Sequence, residues 1–134
     1  MSITDHLDAY ESVKNFQEAW LGPGVYVLFQ GPPRDNNIVY IGKSERDVML
    51  RVGTHQTDKE FTHVGLVLPS RTNKIFIHNL EHLVVAEFLD EYDYLPYYNS
   101  VTPRRHYESS RLYDWHTISR REDDVRFISD DDYR

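Results

Sequence analysis

Two pairs of polar side chains in the first half of the chain could transfer protons and stabilise negative charge. Tyr26 and Tyr40 lie in two β-rich runs, and they oppose each other on one face if the connection is symmetric about residue 33. Arg51 and His55 lie one helical turn apart and interrupt an apolar face. Each pair also has a purely structural explanation. Tyrosines commonly pack in sheets, an arginine can lie at the edge of a core, and a histidine suits a helix C-terminus.

Glu87 is the acidic residue whose position is hardest to explain by exposure to solvent. On a helical wheel it falls at the centre of the apolar stripe that Leu80, Leu83 and Val84 form. A bare carboxylate is costly in such a place unless it is paired, hydrogen-bonded or bound to a metal. The pattern therefore predicts an arginine or an ion beside Glu87.

Helices and short strands must position these residues. Two β-rich runs, 25–29 and 38–41, flank the turn-forming segment 31–37, which predicts an antiparallel hairpin. An amphipathic helix over residues 1–22 is predicted by apolar side chains at spacings of three and four: Tyr10, Val13, Phe16 and Trp20. The later elements predicted are a helix over about 45–55 behind Ser44, a strand over 64–68, and a helix that starts at Asn79 and ends before Pro96.

This order of elements predicts an α+β fold with a small three-stranded antiparallel sheet flanked by helices. The 134 residues are one domain's worth of chain. We divide it into the N-terminal helix, 1–22, a core, 23–100, and a C-terminal extension with an acidic tail, 101–134.

The tripeptides Gly24-Val25-Tyr26 and Tyr40-Ile41-Gly42, thirteen residues apart, resemble the pair that names the GIY-YIG nuclease superfamily, with valine for the first isoleucine. Further family positions follow in order over the matched span 24–99: Arg51, His55, Glu87 and Asn99. The run from Glu87 to Pro96-Tyr-Tyr-Asn99 is similar to excision-repair incision enzymes. The spacing of Arg51 and His55 resembles that in homing and restriction endonucleases.

The resemblance implies a metal-dependent endonuclease that hydrolyses phosphodiester bonds, in DNA by family analogy. Glu87 is then the expected ligand of one Mg²⁺ (or Mn²⁺) ion, and Tyr26 is the candidate general base. Arg51 would stabilise charge in the transition state. The remaining family positions would orient water, phosphate or one another: Tyr40, Lys43, His55 and Asn99.

Two alternatives belong to other functional classes. The first is a nucleic-acid-binding module on the same fold that has lost catalysis. The second is a zinc protease, because His78, Glu81 and His82 spell the inverted motif H-x-x-E-H. On the wheel both histidines point away from Glu87, and a protease would need a third ligand and a larger domain. We therefore expect these histidines to face solvent or the tail.

The net charge of −7 disfavours phosphate binding only when it is averaged over the chain. Residues 100–121 carry +3, and residues 122–134 carry −4. The basic block interleaves aromatic residues with five candidate nucleic-acid-binding arginines: Arg104, Arg105, Arg111, Arg120 and Arg121. The alternative for this block is a helix that packs on the core, and the acidic tail is expected to be a solvated end.

The composition excludes several other classes of protein. The chain has no cysteine, which rules out disulfides, thiolate zinc sites and a cysteine nucleophile. It contains no apolar run near the roughly 20 residues that span a bilayer. We expect a soluble cytoplasmic protein with nucleic acid as its partner and no membrane association; a homo-oligomer is left open.

Overall fold

The computed structural model describes residues 3–14, 22–69 and 73–100, which form an α+β fold. A single antiparallel sheet has the strand order β1-β4-β2-β3. Short 3₁₀ turns lie at Thr4–His6 and Asp35–Asn37. The strands and helices are β1 (Ala9–Ser12), β2 (Gly24–Phe29), β3 (Ile38–Ser44), α1 (Val48–His55), β4 (His63–Val67) and α2 (Lys74–Tyr92).

Strand β2 is the centre of the fold, and all six of its residues are buried. Because side chains alternate along a strand, β2 supplies the core on both faces of the sheet. Val25, Val27 and Phe29 pack on the face that α2 covers. Tyr26 and Leu28 pack on the opposite face, in one cluster with Val48 and Val52 of α1. The predicted β2–β3 hairpin is confirmed.

The N-terminal segment is a strand where the sequence predicts a helix. A 3₁₀ turn is followed by β1, which pairs with β4 so that Tyr10 faces Gly65, and the sheet therefore has four strands and not three. Tyr10, placed on the apolar face of the predicted helix, is 58% exposed. Pairing satisfies the backbone groups along the open edge of β4, which helical periodicity does not take into account. Phe16 and Trp20 lie outside the described residues.

Both helices begin at acidic or amide caps, at positions different from those predicted. Helix α1 starts at Val48 because the Asp47 side chain accepts a hydrogen bond from the Met49 N–H, at 3.0 Å. Ser44 accepts one from the Asp47 N–H, at 2.8 Å, and so supports the cap. The N-cap of helix α2 is Asn73, six residues before the predicted cap Asn79, and its side chain accepts a hydrogen bond from the Phe76 N–H.

Within the described ranges, neither helix combines the length and the apolar composition that a bilayer crossing requires.

Asp35 ties the N-terminal segment to the connection between β2 and β3. Its carboxylate accepts hydrogen bonds from the backbone N–H groups of Ile3, at 2.9 Å, and Thr4, at 2.8 Å. It also accepts one from the Thr4 hydroxyl, at 2.6 Å. Asp35→Ala should therefore lower the free energy of unfolding by about 2–3 kcal/mol, as loss of hydrogen bonds to a charged group does.

Urea unfolding of the full chain measures this effect, with the exposed neighbour variant Asn36→Ala as the matched control. Equal midpoints for the two variants would show that the Asp35 contacts do not stabilise the fold.

Candidate active site

Tyr26 and Tyr40 share one face of the sheet, as expected, but they are diagonal neighbours and not directly opposed. Tyr26 pairs with Gly42, and Leu28 pairs with Tyr40. The connection is not symmetric about residue 33, because a 3₁₀ turn precedes β3 and the pairing shifts between Leu28 and Phe29. The two ring centroids still lie only 6.1 Å apart.

Gly42 gives the two tyrosine rings the space in which they meet. A Cβ atom at this position would lie 2.5 Å from the Tyr40 ring and 2.6 Å from the Tyr26 hydroxyl. Both rings therefore lie over a backbone with no side chain of its own. The glycine of the second tripeptide is required by close approach.

Tyr26 makes a buried hydrogen bond to His55 at the end of α1. The distance from Oη to Nε2 is 2.8 Å, and both residues are almost fully excluded from solvent. The Tyr40 ring meets His55 edge-on, with centroids 4.9 Å apart. Arg51, one turn earlier on an exposed position of α1, lies close enough for its positive charge to lower the pKa of Tyr26. The structure therefore brings together all four of these sequence-predicted residues.

Burial sets the protonation state of this pair. It raises the pKa of Tyr26 well above its usual value, with the neighbouring Tyr40 adding to the effect and Arg51 opposing it. Burial lowers the pKa of His55 to about 4, and the positive charges of Lys59 and Arg51 contribute. Both groups are neutral at pH 7, and because the Asp58 carboxylate beside Nδ1 can only accept, we infer that the Tyr26 hydroxyl donates to an unprotonated Nε2. The proton of His55 is then on Nδ1, which lies 3.9 Å from the Asp58 carboxylate.

Lys59 is a site residue that the sequence analysis missed. Its ammonium lies 4.9 Å from the centre of the Tyr40 ring and 5.6 Å from that of Tyr98. Its backbone N–H donates to the His55 carbonyl at 2.9 Å, which fixes the turn after α1. Only its position four residues after His55 could have indicated this role. The contact with Tyr98 joins distant parts of the chain and cannot be predicted from the residues next to Lys59 in the sequence.

Asn99 holds the outer edge of β3 from the side. Its amide donates to the Ile41 carbonyl, and its oxygen accepts from the Ile41 N–H, both at 2.9 Å. The Tyr98 N–H donates to the Val39 carbonyl at 2.8 Å. Asn99 therefore positions the strand segment between Tyr40 and Gly42 through its backbone.

Glu81 is a second carboxylate on α2 whose charge acts on both tyrosines, and the assignment of Glu87 stays a prediction. Burial raises the pKa of both Tyr26 and Tyr40, and the negative charge of Glu81 raises it further. Six residues separate the two glutamates, which is about 9 Å along α2 and about 120° around it. They therefore present different faces, and Glu87 lies half-buried on the face of Leu80.

The choice between the glutamates could not be made from the helical wheel. Helix α2 buries side chains around most of its circumference, so the apolar stripe is not unique. The buried positions are Phe76, Ile77, Asn79, Leu80, Leu83, Val84, Val85 and Phe88. The family spacing to Asn99 favours Glu87, whose role as a metal ligand stays a prediction.

The surroundings of Glu81 differ from those of an exposed acid. Burial raises its pKa to about 7, and the positive charge of Lys43 opposes the shift. Lys43 is itself ion-paired with Glu45, at 2.8 Å. Lys43 thus lies near the site, as expected, on the side of α2.

His78 and His82 are partly buried and do not lie fully in solvent, and the predicted contact with the tail lies outside the described residues. Because α2 starts at Lys74, both lie inside the helix, one turn apart, and His78 does not precede the N-cap. Their ring centroids are 4.3 Å apart, and the His82 side chain is 14% exposed. Together with Glu81 they form a group whose potential ligand atoms lie within 4.8 Å of one another.

The predicted nucleic-acid-binding arginines stay a prediction. All of them lie outside the described residues: Arg104, Arg105, Arg111, Arg120 and Arg121.

No family model, no curated protein and no solved structure matches this chain.

Gly42→Ala should break the Tyr26–His55 hydrogen bond, since the new methyl group overlaps the Tyr26 hydroxyl and the Tyr40 ring. Overpacking of this kind costs about 1–3 kcal/mol of stability. The measurements are urea unfolding and the ¹⁵N shift of His55 Nε2. Gly53→Ala is the matched control, because a Cβ there meets nothing within 4 Å and alanine favours an exposed helix. Unchanged Nε2 shifts in Gly42→Ala would contradict the close approach.

His55 should remain neutral down to about pH 4, and Lys59→Met should raise its pKa by removing a neighbouring positive charge. Because an unfolded histidine titrates near 6.5, the free energy of unfolding should fall as the pH is lowered from about 6.5 to about 4. NMR titration of the imidazole checks both statements, with the exposed Lys74→Met as the control. A wild-type His55 that titrates near pH 6.5 would contradict the burial argument.

Proposed function

We propose that the protein is a metal-dependent endonuclease of the GIY-YIG type that hydrolyses phosphodiester bonds in DNA. The observation that carries the proposal is the buried Tyr26–His55 hydrogen bond, at 2.8 Å, with the positive charge of Arg51 close enough to lower the pKa of Tyr26. A neutral imidazole behind a phenol provides an acceptor for the phenol's proton. The adjacent guanidinium suits a phosphate group.

In the proposed reaction, Tyr26 and His55 act together as the general base. An attacking water gives a proton to the Tyr26 oxygen while the Tyr26 proton passes to His55 Nε2. A free phenolate need not form, so the high pKa of Tyr26 is no obstacle. The negative charge of a bound phosphate and the nearby Asp58 both favour the protonated imidazole.

Arg51 and the aromatic residues have separate tasks. Arg51 comes from α1, one turn before His55, and its charge acts on Tyr26, so it would hold the phosphate near the attacking water and stabilise charge that develops there. Tyr40 packs against both Tyr26 and His55, and Lys59 lies over its ring. These contacts keep the imidazole in one orientation.

Glu81 takes the place of Glu87 as the carboxylate proposed to hold the divalent ion. Its fit rests on two facts: its charge reaches both tyrosines, and burial keeps it partly protonated near pH 7 unless a cation is close. A bound Mg²⁺ (or Mn²⁺) ion would supply Lewis-acid stabilisation of the phosphate oxygens. The zinc-protease alternative stays a prediction that no described contact favours.

The full chain should nick supercoiled plasmid with Mg²⁺ or Mn²⁺ and not with EDTA. Glu81→Gln should reduce the rate at least about 100-fold, the usual effect of losing a charge that stabilises the transition state. Tyr26→Phe should have a similar effect, because it removes the proton path. Glu91→Gln removes the same negative charge at an exposed position of α2 and should leave the rate unchanged.

The outcomes separate the alternatives. If Glu87→Gln abolishes cleavage and Glu81→Gln leaves it unchanged, the metal ligand is Glu87, as the family spacing predicts. Plasmid binding without cleavage by the wild type under any of these conditions would favour the inactive binding module and reject the endonuclease.

A further inference from the structure

Three potential metal ligands lie on one turn of α2. His78, Glu81 and His82 are each half-buried, and their donor atoms lie within 4.8 Å of one another. Among the described residues, this is the group of three histidine or acidic side chains whose potential ligand atoms all lie that close together. The zinc-protease alternative, which rests on the H-x-x-E-H motif, does not explain why Glu81 of this group acts on Tyr26 and Tyr40.

The donor atoms of the group are spaced almost closely enough to bind one ion. His78 and His82 occupy positions i and i+4, with ring centroids 4.3 Å apart, and His82 Nε2 lies 3.7 Å from Glu81 Oε1. Donors around a tetrahedral ion with bonds of about 2.0–2.2 Å are separated by about 3.4 Å. Side-chain rotations that move the donors by about 1 Å would close the site, and the helix backbone need not move.

The donor set determines the class of ion. Mg²⁺ prefers oxygen ligands and retains its waters, whereas imidazole nitrogen suits Zn²⁺ and its first-row neighbours. Three protein ligands with an open fourth position are the arrangement of catalytic zinc sites. Two neutral imidazoles and one carboxylate therefore select a transition metal over Mg²⁺.

Charges of both signs surround the group, and Lys74 Nζ lies 4.0 Å from the same Glu45 carboxylate that pairs with Lys43. Lys43 is the positive charge that acts on Glu81, and its ammonium is paired with Glu45, at 2.8 Å. Glu45 also interacts electrostatically with His78, so a second carboxylate lies within range of the group.

We propose that His78, Glu81 and His82 bind one first-row transition-metal ion, with Zn²⁺ as the preferred ion and Mg²⁺ a poor substitute. Where the proposed endonuclease function holds, on which this clause rests, Glu81 is common to both proposals, and Mn²⁺ is the ion that both allow.

Metal binding by the full chain tests the proposal without nucleic acid. Chelated and dialysed protein is titrated with Zn²⁺ by calorimetry and with Co²⁺ by visible absorption, which reports the ligand field. We expect one ion per chain and no displacement by excess Mg²⁺. His78→Ala, His82→Ala and Glu81→Gln should each weaken binding at least about tenfold. His63→Ala, a change of the same type in β4, should not.

Thermal unfolding in EDTA establishes that each variant is folded, so that weaker binding reports a lost ligand. The proposal is overturned if the wild type binds no Zn²⁺, if Mg²⁺ competes at equal concentration, or if His78→Ala and His82→Ala bind Zn²⁺ as the wild type does.

The results distinguish this site from the nuclease proposal. Zn²⁺ binding through these residues without plasmid cleavage supports the metal site and rejects the endonuclease. Cleavage with Mg²⁺ by a chain that binds no Zn²⁺ rejects the metal site and supports the endonuclease.

Discussion

The fold and the site both depend on the absence of a side chain at residue 42. Tyr26 comes from the fully buried central strand, and its ring can reach His55 on α1 only by lying across the neighbouring strand at Gly42. The Tyr40 ring uses the same space from two residues away. One missing Cβ thus permits a hydrogen bond between the sheet and a helix, and the packing of α1 keeps that bond dry.

Local patterns predicted those parts of the fold that local interactions determine. The turn-forming segment between two β-rich runs predicted the hairpin, and the period of Val48, Val52 and His55 predicted α1. The strand at Ala9–Ser12 was missed because its partner, β4, lies more than fifty residues away in the chain. The start of α2 was misplaced because Asn73 and Asn79 are both good cap residues and only one of them caps.

The site could be predicted in its residue types more fully than in its geometry. Tyr26, Tyr40, Arg51 and His55 meet because all four project from regular elements whose periods are visible in the sequence. The helical wheel does not distinguish Glu81 from Glu87, since α2 is buried on several sides and both acids lie among apolar residues. Lys59 was missed because its aromatic partners come from two distant segments. Distance in the chain, more than residue chemistry, limited the prediction.

The paired hydrogen bonds of Asn99 have a consequence for association between molecules. β3 is the last strand of the sheet, and an exposed last strand offers a free donor and acceptor at alternate residues to any other chain. Asn99 occupies both groups of Ile41, and Tyr98 occupies the Val39 carbonyl. A side-chain amide thus closes the edge that a second molecule would otherwise extend into a continuous sheet. The contact that aligns the tyrosines therefore also protects the protein from edge-to-edge aggregation.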